Sequence, residues 1–142
     1  MARRQDPKLV ALQSVPLFKD MKKKDLAAVG RIADEIDFPP GKELIREETA
    51  GSQFFVLLDG NVDVRRRGRK INTLGPGDFF GEIALLTDHE TTATIIATTP
   101  VTVVVITRAN FKRLLHDAPG AQWDVLQALA KRMPGDDFRP SA

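Results

Sequence analysis

GDFFGEIALL, residues 77–86, is the stretch that decides how the rest of this chain is interpreted. A turn at 75–78 leads into it, and a carboxylate and a short apolar run with helical character follow Gly81. A glycine lets the main chain approach a ligand more closely than a residue with a Cβ atom can. The free N–H groups at the start of a helical turn form a site for an anion. The stretch therefore predicts a cradle for a phosphorylated sugar, with Glu82 placed to accept a hydrogen bond from a sugar hydroxyl.

The segment from Phe80 to Leu86, together with TTATI at 91–95, resembles the phosphate-binding cassette of cyclic-nucleotide-binding domains. That family includes the catabolite activator protein, kinase regulatory subunits and cyclic-nucleotide-gated channels. Its cassette runs Phe-Gly-Glu-hydrophobic-Ala-Leu, then a few variable residues, then Arg-x-Ala-Thr/Ser-Val. The resemblance implies a fold of class α+β, mainly β: an eight-stranded β jelly-roll flanked by N-terminal and C-terminal helices.

The resemblance also assigns a role to each matching residue of the first half of the cassette. Glu82 would bind the ribose 2′-hydroxyl, and Gly81 would permit the close approach of the ligand. The N–H groups of Ile83 and Ala84 would face the cyclic phosphate. In the second half, Thr92 matches a position at which some relatives direct a hydroxyl toward the phosphate or a guanine base. The candidate nucleotide-binding residues are Gly81, Glu82, Ile83, Ala84, Thr91, Thr92 and Ala93, and Ala93 and Thr94 are interpreted as structural.

Position 91 departs from the pattern of the family. The family has arginine ten residues after the glycine that corresponds to Gly81, and this chain has Thr91, with no gap that would bring another arginine into register. A threonine hydroxyl cannot reproduce the planar, bidentate fork of a guanidinium group. Losing one partner of a buried charge pair costs about 2–5 kcal/mol, which is on the order of 30- to several-thousand-fold in affinity. Glu90 would add repulsion, whereas a protonated His89 or an arginine from a strand would recover part of the binding.

The composition is that of a soluble globular domain. Of the 142 residues, 42% are hydrophobic and 28% are charged, and the formal net charge of +2 comes from 21 basic and 19 acidic residues. So small an imbalance favours a solvated surface over a nucleic-acid partner. No apolar run approaches the ~20 residues of a membrane span, and the N-terminus lacks the apolar core of a signal peptide. Because the chain has no cysteine, we expect a cytoplasmic protein.

Helical periodicity flanks a central segment of short apolar runs. Apolar residues at helical spacing predict an amphipathic helix from Lys22 to Ile36. The predicted strands are Glu43–Ile45, Gln53–Leu58, Asn61–Arg66, Lys70–Leu74, Thr92–Thr98 and Val101–Thr107. We expect one domain in which helices at 9–36 precede a β-roll at 37–107, helices at 108–133 and a tail at 134–142.

The last predicted helix carries an apolar stripe, formed by Trp123, Leu126, Leu129, Ala130 and Met133. Trp123 is expected to pack this helix against the roll, with a lid over the ligand or a dimer seam as the alternative. Because such a stripe has to be covered, and because this helix often carries the dimer contact in the family, we predict a homodimer.

Other chemistry is weakly represented in the sequence. The basic cluster at 65–70 is interpreted as a solvated hairpin tip rather than a phosphate-seeking patch. His89 and His116 lie far apart in unlike contexts, so we expect no metal site. No nucleophile has a recognisable activating partner, and we expect no enzyme.

Two functions remain open from the sequence. The first is a cyclic-nucleotide-binding regulatory module, with cAMP as the expected ligand, cGMP as the alternative, and an affinity lowered by Thr91. The second is a pseudo-sensor of the same fold, kept as a protein-interaction or dimerisation module. No helix-turn-helix, kinase motif or channel segment is recognisable, so the output is expected to pass to an unidentified effector protein.

Overall fold

The computed structural model describes residues 6–81, 83–88 and 90–131, except for the side chains of Ile83 and Lys131. This part of the chain forms thirteen helices and strands. The five helices are α1 Pro7–Gln13, α2 Lys23–Ile32, α3 Ile83–Leu86, α4 Arg108–Asp117 and α5 Pro119–Lys131. The eight strands are β1 Asp34–Phe38, β2 Glu43–Ile45, β3 Gln53–Asp59, β4 Val62–Arg66, β5 Arg69–Leu74, β6 Phe79–Phe80, β7 Thr94–Ala97 and β8 Val101–Thr107.

The strands form two antiparallel four-stranded sheets, in the orders β1-β8-β3-β6 and β2-β7-β4-β5. Side chains alternate between the two faces of each strand, and β3 uses both faces. Phe55 and Leu57 belong to the cluster between the sheets, which Val62 and Ile95 join from the second sheet. Phe54 and its neighbours on the other face pack against the helices. The predicted eight-stranded roll with flanking helices is therefore confirmed.

The β4–β5 hairpin carries the basic cluster of the sequence. Its two turn residues, Arg67 and Gly68, both have positive φ, at 53° and 77°, as in the type I′ turns that suit the twist of a hairpin. The N–H of Arg67 donates to both carboxylate oxygens of Glu47, at 3.0 and 3.1 Å. The interpretation of this cluster as a hairpin tip is thus correct for the turn residues Arg67 and Gly68. Arg65 and Arg66 belong to strand β4 and lie on its two opposite faces.

The predicted helix from Lys22 to Ile36 is wrong in its last turn. Helix α2 ends at Ile32, and Ala33 has an extended backbone with φ −96° and ψ 131°. The chain then enters β1, which pairs with β8 from Asp34 opposite Val105 to Phe38 opposite Val101. Ile36 continues the helical spacing by coincidence, and its side chain is exposed on the strand. Strand pairing with β8 has overridden the local pattern.

The predicted apolar stripe on the final helix is also wrong, because its residues do not share one buried face. The buried residues of α5 are Ala121, Val125 and Ala128, and Leu129 is partly buried against the same core. Trp123 and Leu126 are 63% and 57% exposed, so Trp123 does not pack α5 against the roll. Met133 lies outside the described residues. None of the described helices combines the length and the apolar character that crossing a membrane requires.

Candidate functional site

A cavity of about 630 Å³ opens beside the second sheet and includes much of the predicted cassette in its lining. Its size falls within the ~300–1,000 Å³ of typical small-molecule sites. The apolar lining residues are Ile45, Val64, Leu74, Phe79, Phe80, Ala84, Ala93 and Ile95. The polar ones are Arg66, Asn72, Glu90, Thr91 and Thr92, and Gly51 and Gly81 complete the lining. An apolar pocket with a few polar groups suits a ligand that has a ring system and a polar end.

Gly81 lies where β6 ends and α3 begins. Its φ of +81° is one that L side chains rarely adopt, and a Cβ atom there would lie 2.7 Å from the carbonyl oxygen of Gln53. The chain therefore needs a glycine in order to pack against β3. This is a different reason from the close ligand approach predicted from the sequence, which stays a prediction. The preceding residue, Phe80, stacks on Phe55 with ring centroids 5.1 Å apart, and this contact fixes the entry into the loop.

The first half of the cassette is only partly described. Glu82 and His89 lie outside the described residues, so the predicted ribose contact and the imidazole are not located. The N–H of Ala84 donates to the carbonyl oxygen of Gly81 at 3.0 Å. This N–H is thus engaged in the turn that opens α3, and its predicted contact with a phosphate stays a prediction. The predicted contact of the Ile83 N–H stays a prediction.

The hydroxyl of Thr91 is engaged by the turn at 46–49. It lies within hydrogen-bond distance of the carbonyl oxygens of Arg46 and Thr49, the second at 3.2 Å, and it accepts from the N–H of Thr49 at 3.2 Å. The main chain of Thr91 adds a donation to the Thr49 carbonyl at 2.9 Å and accepts from the N–H of Glu48 at 2.8 Å. Thr91 therefore holds the cassette against the turn after β2, and its predicted contact with a ligand stays a prediction.

The residues after Thr91 divide between the cavity and the strand. Thr92 is exposed and Ala93 is half-buried, and both line the cavity. Thr94 begins β7, accepts from the N–H of Glu47 at 3.1 Å and donates to its carboxylate at 3.4 Å. This contact gives Thr94 the structural role that was predicted for it.

The sequence interpretation missed Arg66 as a residue of the site. It ends β4, lines the cavity, and donates through Nε to the carbonyl oxygen of Thr92 at 3.0 Å. The sequence did contain a signal for Arg66, because side chains two residues apart share one face of a strand. Arg66 therefore lies on the same face as the apolar residues Val62 and Val64. The basic run at 65–70 hid this signal, since it was interpreted as one solvated tip.

The charged side chains on the face of β4 that points away from the cavity form ion pairs with one another and with β5. Asp63, which is 7% exposed, pairs with Arg65 at 3.4 Å and with Lys70 at 3.6 Å. Thr73 also donates to its carboxylate at 3.3 Å. Among the residues that the structure describes, no three His, Asp or Glu side chains come together in a group suited to a metal ion.

The description "Cyclic nucleotide-binding domain" belongs to a family model that matches residues 35–118. The cAMP-dependent protein kinase regulatory subunit of Aspergillus niger is 37% identical over 106 residues, which cover 73% of this chain and 26% of that protein. The cGMP-dependent protein kinase, isozyme 1, of Drosophila melanogaster is 36% identical over 114 residues, covering 75% of this chain and 15% of that protein. The chain thus spans about a quarter or less of the length of these relatives.

Solved structures share the fold. The N-terminal domain of a transcriptional regulator from Streptomyces coelicolor A3(2) superimposes with a TM-score of 0.82, at 24% identity, over 93% of this chain and 98% of that one. The regulatory domain of Toxoplasma gondii PKA, co-crystallised with cAMP, superimposes with a TM-score of 0.71, at 27% identity, over 81% of this chain and 48% of that one.

Proposed function

The chain belongs to the cyclic nucleotide-binding domain family, and from that premise we propose that its cavity binds a cyclic nucleotide, with cAMP as the expected ligand and an affinity lowered by Thr91. The chain then acts as a regulatory module whose occupancy is communicated to another protein. The observation that carries this proposal is the coincidence of the cavity with the cassette, because residues from both halves of the cassette line the same space of about 630 Å³.

The lining supports a ligand with one apolar and one anionic end. Phe79, Leu74 and Val64 offer apolar surface to a purine ring, whereas a cyclic phosphate needs donors and positive charge. The hydroxyl of Thr91 is engaged by the turn at 46–49, which supports a weakened phosphate contact at that position. Thr92 lines the cavity and offers a hydroxyl that a guanine base would use, so cGMP is the alternative ligand.

A second function, the pseudo-sensor, is favoured by one observation. Glu90 lines the same cavity, and a carboxylate beside a bound phosphate repels it. If that repulsion and the missing cassette arginine prevail, the fold serves as an interaction or dimerisation module without a nucleotide. In both cases three further properties stay predictions: the cytoplasmic location, the homodimer and the effector protein. The expected lack of a metal, of a nucleic-acid partner and of an enzyme activity also stays a prediction.

Isothermal titration of the whole chain with cAMP and with cGMP separates the two functions. The proposal expects saturable binding of one nucleotide per chain, with 5′-AMP much weaker because its phosphate is not cyclic. Glu82→Ala should weaken binding and equalise the affinities for cAMP and 2′-deoxy-cAMP, since the predicted lost contact is to the 2′-hydroxyl. Glu35→Ala, an exposed change on β1, is the matched control. Absence of binding at millimolar concentrations of both nucleotides would contradict the proposal and leave the pseudo-sensor.

A further inference from the structure

We propose that Arg66, on β4, binds the phosphate of the nucleotide and so supplies the guanidinium group that the cassette lacks at position 91. This inference rests on the proposed function, because it names the residue that would hold the anionic end of the same ligand. The guanidinium group of Arg66 would reach the cassette from β4, the strand that pairs with β7 in the second sheet.

The direction of the Arg66 side chain follows from the strand. Side chains at i, i+2 and i+4 share one face of a β-strand. Val62 is buried between the sheets, and Val64 and Arg66 line the cavity. The alternate residues, Asp63 and Arg65, pair with each other on the opposite face. Of the two consecutive arginines of β4, only Arg66 therefore reaches the cavity.

The side chain of Arg66 is anchored in an orientation that leaves its terminal nitrogens available. Nε donates to the carbonyl oxygen of Thr92 at 3.0 Å, so the guanidinium group is held against the second half of the cassette. Within the described part of the chain, neither Nη atom of Arg66 has a hydrogen-bond or ion-pair partner. A guanidinium group keeps its charge at every physiological pH, and its Nη atoms match two oxygens of a phosphate.

Within the described part of the chain, no carboxylate lies within ion-pair distance of Arg66. Asp63 is paired with Arg65 and Lys70 on the other face, and Glu47 accepts from the N–H of Arg67. Glu90 lines the cavity but forms no ion pair with any described residue. A cation at the wall of a largely apolar cavity, with no ion-pair partner among the described residues, suits a ligand that brings a single negative charge. The phosphodiester of a cyclic nucleotide carries that charge.

The inference predicts a loss that is specific to the phosphate. Charge-assisted hydrogen bonds are the strong ones, but Arg66 is exposed and water screens its charge. Arg66→Gln should therefore weaken cAMP binding about 10- to 100-fold and leave the affinity for adenosine, which has no phosphate, unchanged. Arg66→Lys should retain part of the affinity, because lysine keeps the charge and loses the fork.

The test is isothermal titration of the whole chain with cAMP and adenosine, with circular dichroism melting of each variant as the check on folding. Arg65→Gln is the matched control, since it removes the same charge from the neighbouring position on the opposite face. The double variant Arg66→Gln with Thr91→Arg should recover cAMP binding, because a guanidinium group returns to the family position.

Each outcome decides a different claim. Loss of cAMP affinity in Arg66→Gln, with Arg65→Gln near the original chain and adenosine unaffected, supports the role of Arg66. Equal cAMP affinities in the two glutamine variants would overturn it while the proposed function stands. An equal loss of cAMP and adenosine affinity in Arg66→Gln would also overturn it, since the residue would then only support the loop. If the unaltered chain binds neither cAMP nor cGMP, the proposed function fails and the role of Arg66 fails with it.

Discussion

Thr91 and Thr49 are joined by both main-chain and side-chain hydrogen bonds. The N–H of Thr91 donates to the Thr49 carbonyl at 2.9 Å, the N–H of Thr49 donates to Oγ1 of Thr91 at 3.2 Å, and the two hydroxyl oxygens lie 3.3 Å apart. The residue that departs from the family pattern is thus part of the support of the turn after β2. Any change at position 91 acts on this turn as well as on the ligand.

Thr91→Arg should therefore have two opposite effects. Loss of the hydroxyl contacts should lower the free energy of unfolding by about 1–2 kcal/mol, since each hydrogen bond contributes about 0.5–1.5 kcal/mol. The added guanidinium group should raise cAMP affinity at least tenfold. Thr91→Val is the matched control, which should lose similar stability without gaining affinity. Thermal unfolding and calorimetric titration measure the two effects, and unchanged affinity in Thr91→Arg would show that a guanidinium group at position 91 does not reach the phosphate.

Glu90→Gln should strengthen binding of cAMP. Glu90 lines the cavity and is exposed, so its repulsion of a phosphate is screened by water. A screened charge pair contributes about 0.2–1 kcal/mol, which corresponds to a gain in affinity of up to about fivefold. Titrations at low and high salt check this, because the gain should shrink as salt rises. Glu35→Gln removes the same charge on β1, away from the cavity, and a gain of equal size there would assign the effect to net charge alone.

Asp25→Asn should raise the stability of the fold at neutral pH. Burial raises the pKa of Asp25 above its ordinary value of 3.8, and the nearby carboxyl of Asp124 raises this pKa further, while Lys24 and Lys22 lower it. Asp25 is 4% exposed, and its Oδ2 atom has no hydrogen-bond partner among the described residues. The protonated carboxyl is therefore the form that the fold prefers.

The sign of the pH effect follows from this raised pKa. The stability that Asp25 contributes is fully present below pH 3.8 and is lost as the pH rises through its folded-state pKa. The gain from Asp25→Asn, measured as the difference in melting temperature, should thus be largest at neutral pH and shrink toward pH 4. Asp34→Asn, an exposed change on β1, is the control. A melting temperature of Asp25→Asn below that of the unaltered chain at pH 7 would contradict the assignment.

Leu126→Asp should weaken the predicted homodimer. Trp123 and Leu126 are the large apolar side chains that α5 exposes, at 63% and 57%, and contact with a second copy would remove them from water. Sedimentation equilibrium should show the variant shifted toward the monomer, whereas Gln127→Asp, an exposed change on the same helix, should retain the dimer. A monomer at every accessible concentration of the unaltered chain would contradict the prediction.

The sequence predicted those strands that carry their own apolar pattern. Glu43–Ile45 and Val101–Thr107 are found with the predicted bounds, because their β-branched and apolar residues are bordered by turn residues. The strands β1 and β6 were missed for different reasons. In β1, Ile36 falls on the helical period of α2, and only pairing with β8 reveals a strand. In β6, two phenylalanines are too short a run to indicate a strand without their partners on β3.

The residues of the candidate site that are neighbours in the sequence could be predicted from it. Those that reach the site from distant segments of the chain were missed. The cavity-lining residues Phe80, Gly81 and Ala84, and those from Thr91 to Ala93, belong to two short local motifs, so a sequence pattern finds them. Arg66 comes to the cavity through the pairing of β4 with β7, in which Arg65 lies opposite Thr94. The contacts of Thr91 with the turn at 46–49 likewise depend on the fold, because 42 residues separate it from Thr49.

An NMR titration of the ¹⁵N-labelled chain with cAMP shows whether a cyclic nucleotide occupies the cavity and meets Arg66. We predict saturable shifts of the main-chain resonances of Gly51 and Gly81, which line the cavity, and of the Nε–H resonance of Arg66. Gly41 and Gly68, which have no neighbouring atoms within 4 Å of a Cβ position, should not shift. Spectra that stay unchanged at millimolar cAMP, or shifts that spare Gly81 and Arg66, would contradict binding of the nucleotide at this cavity.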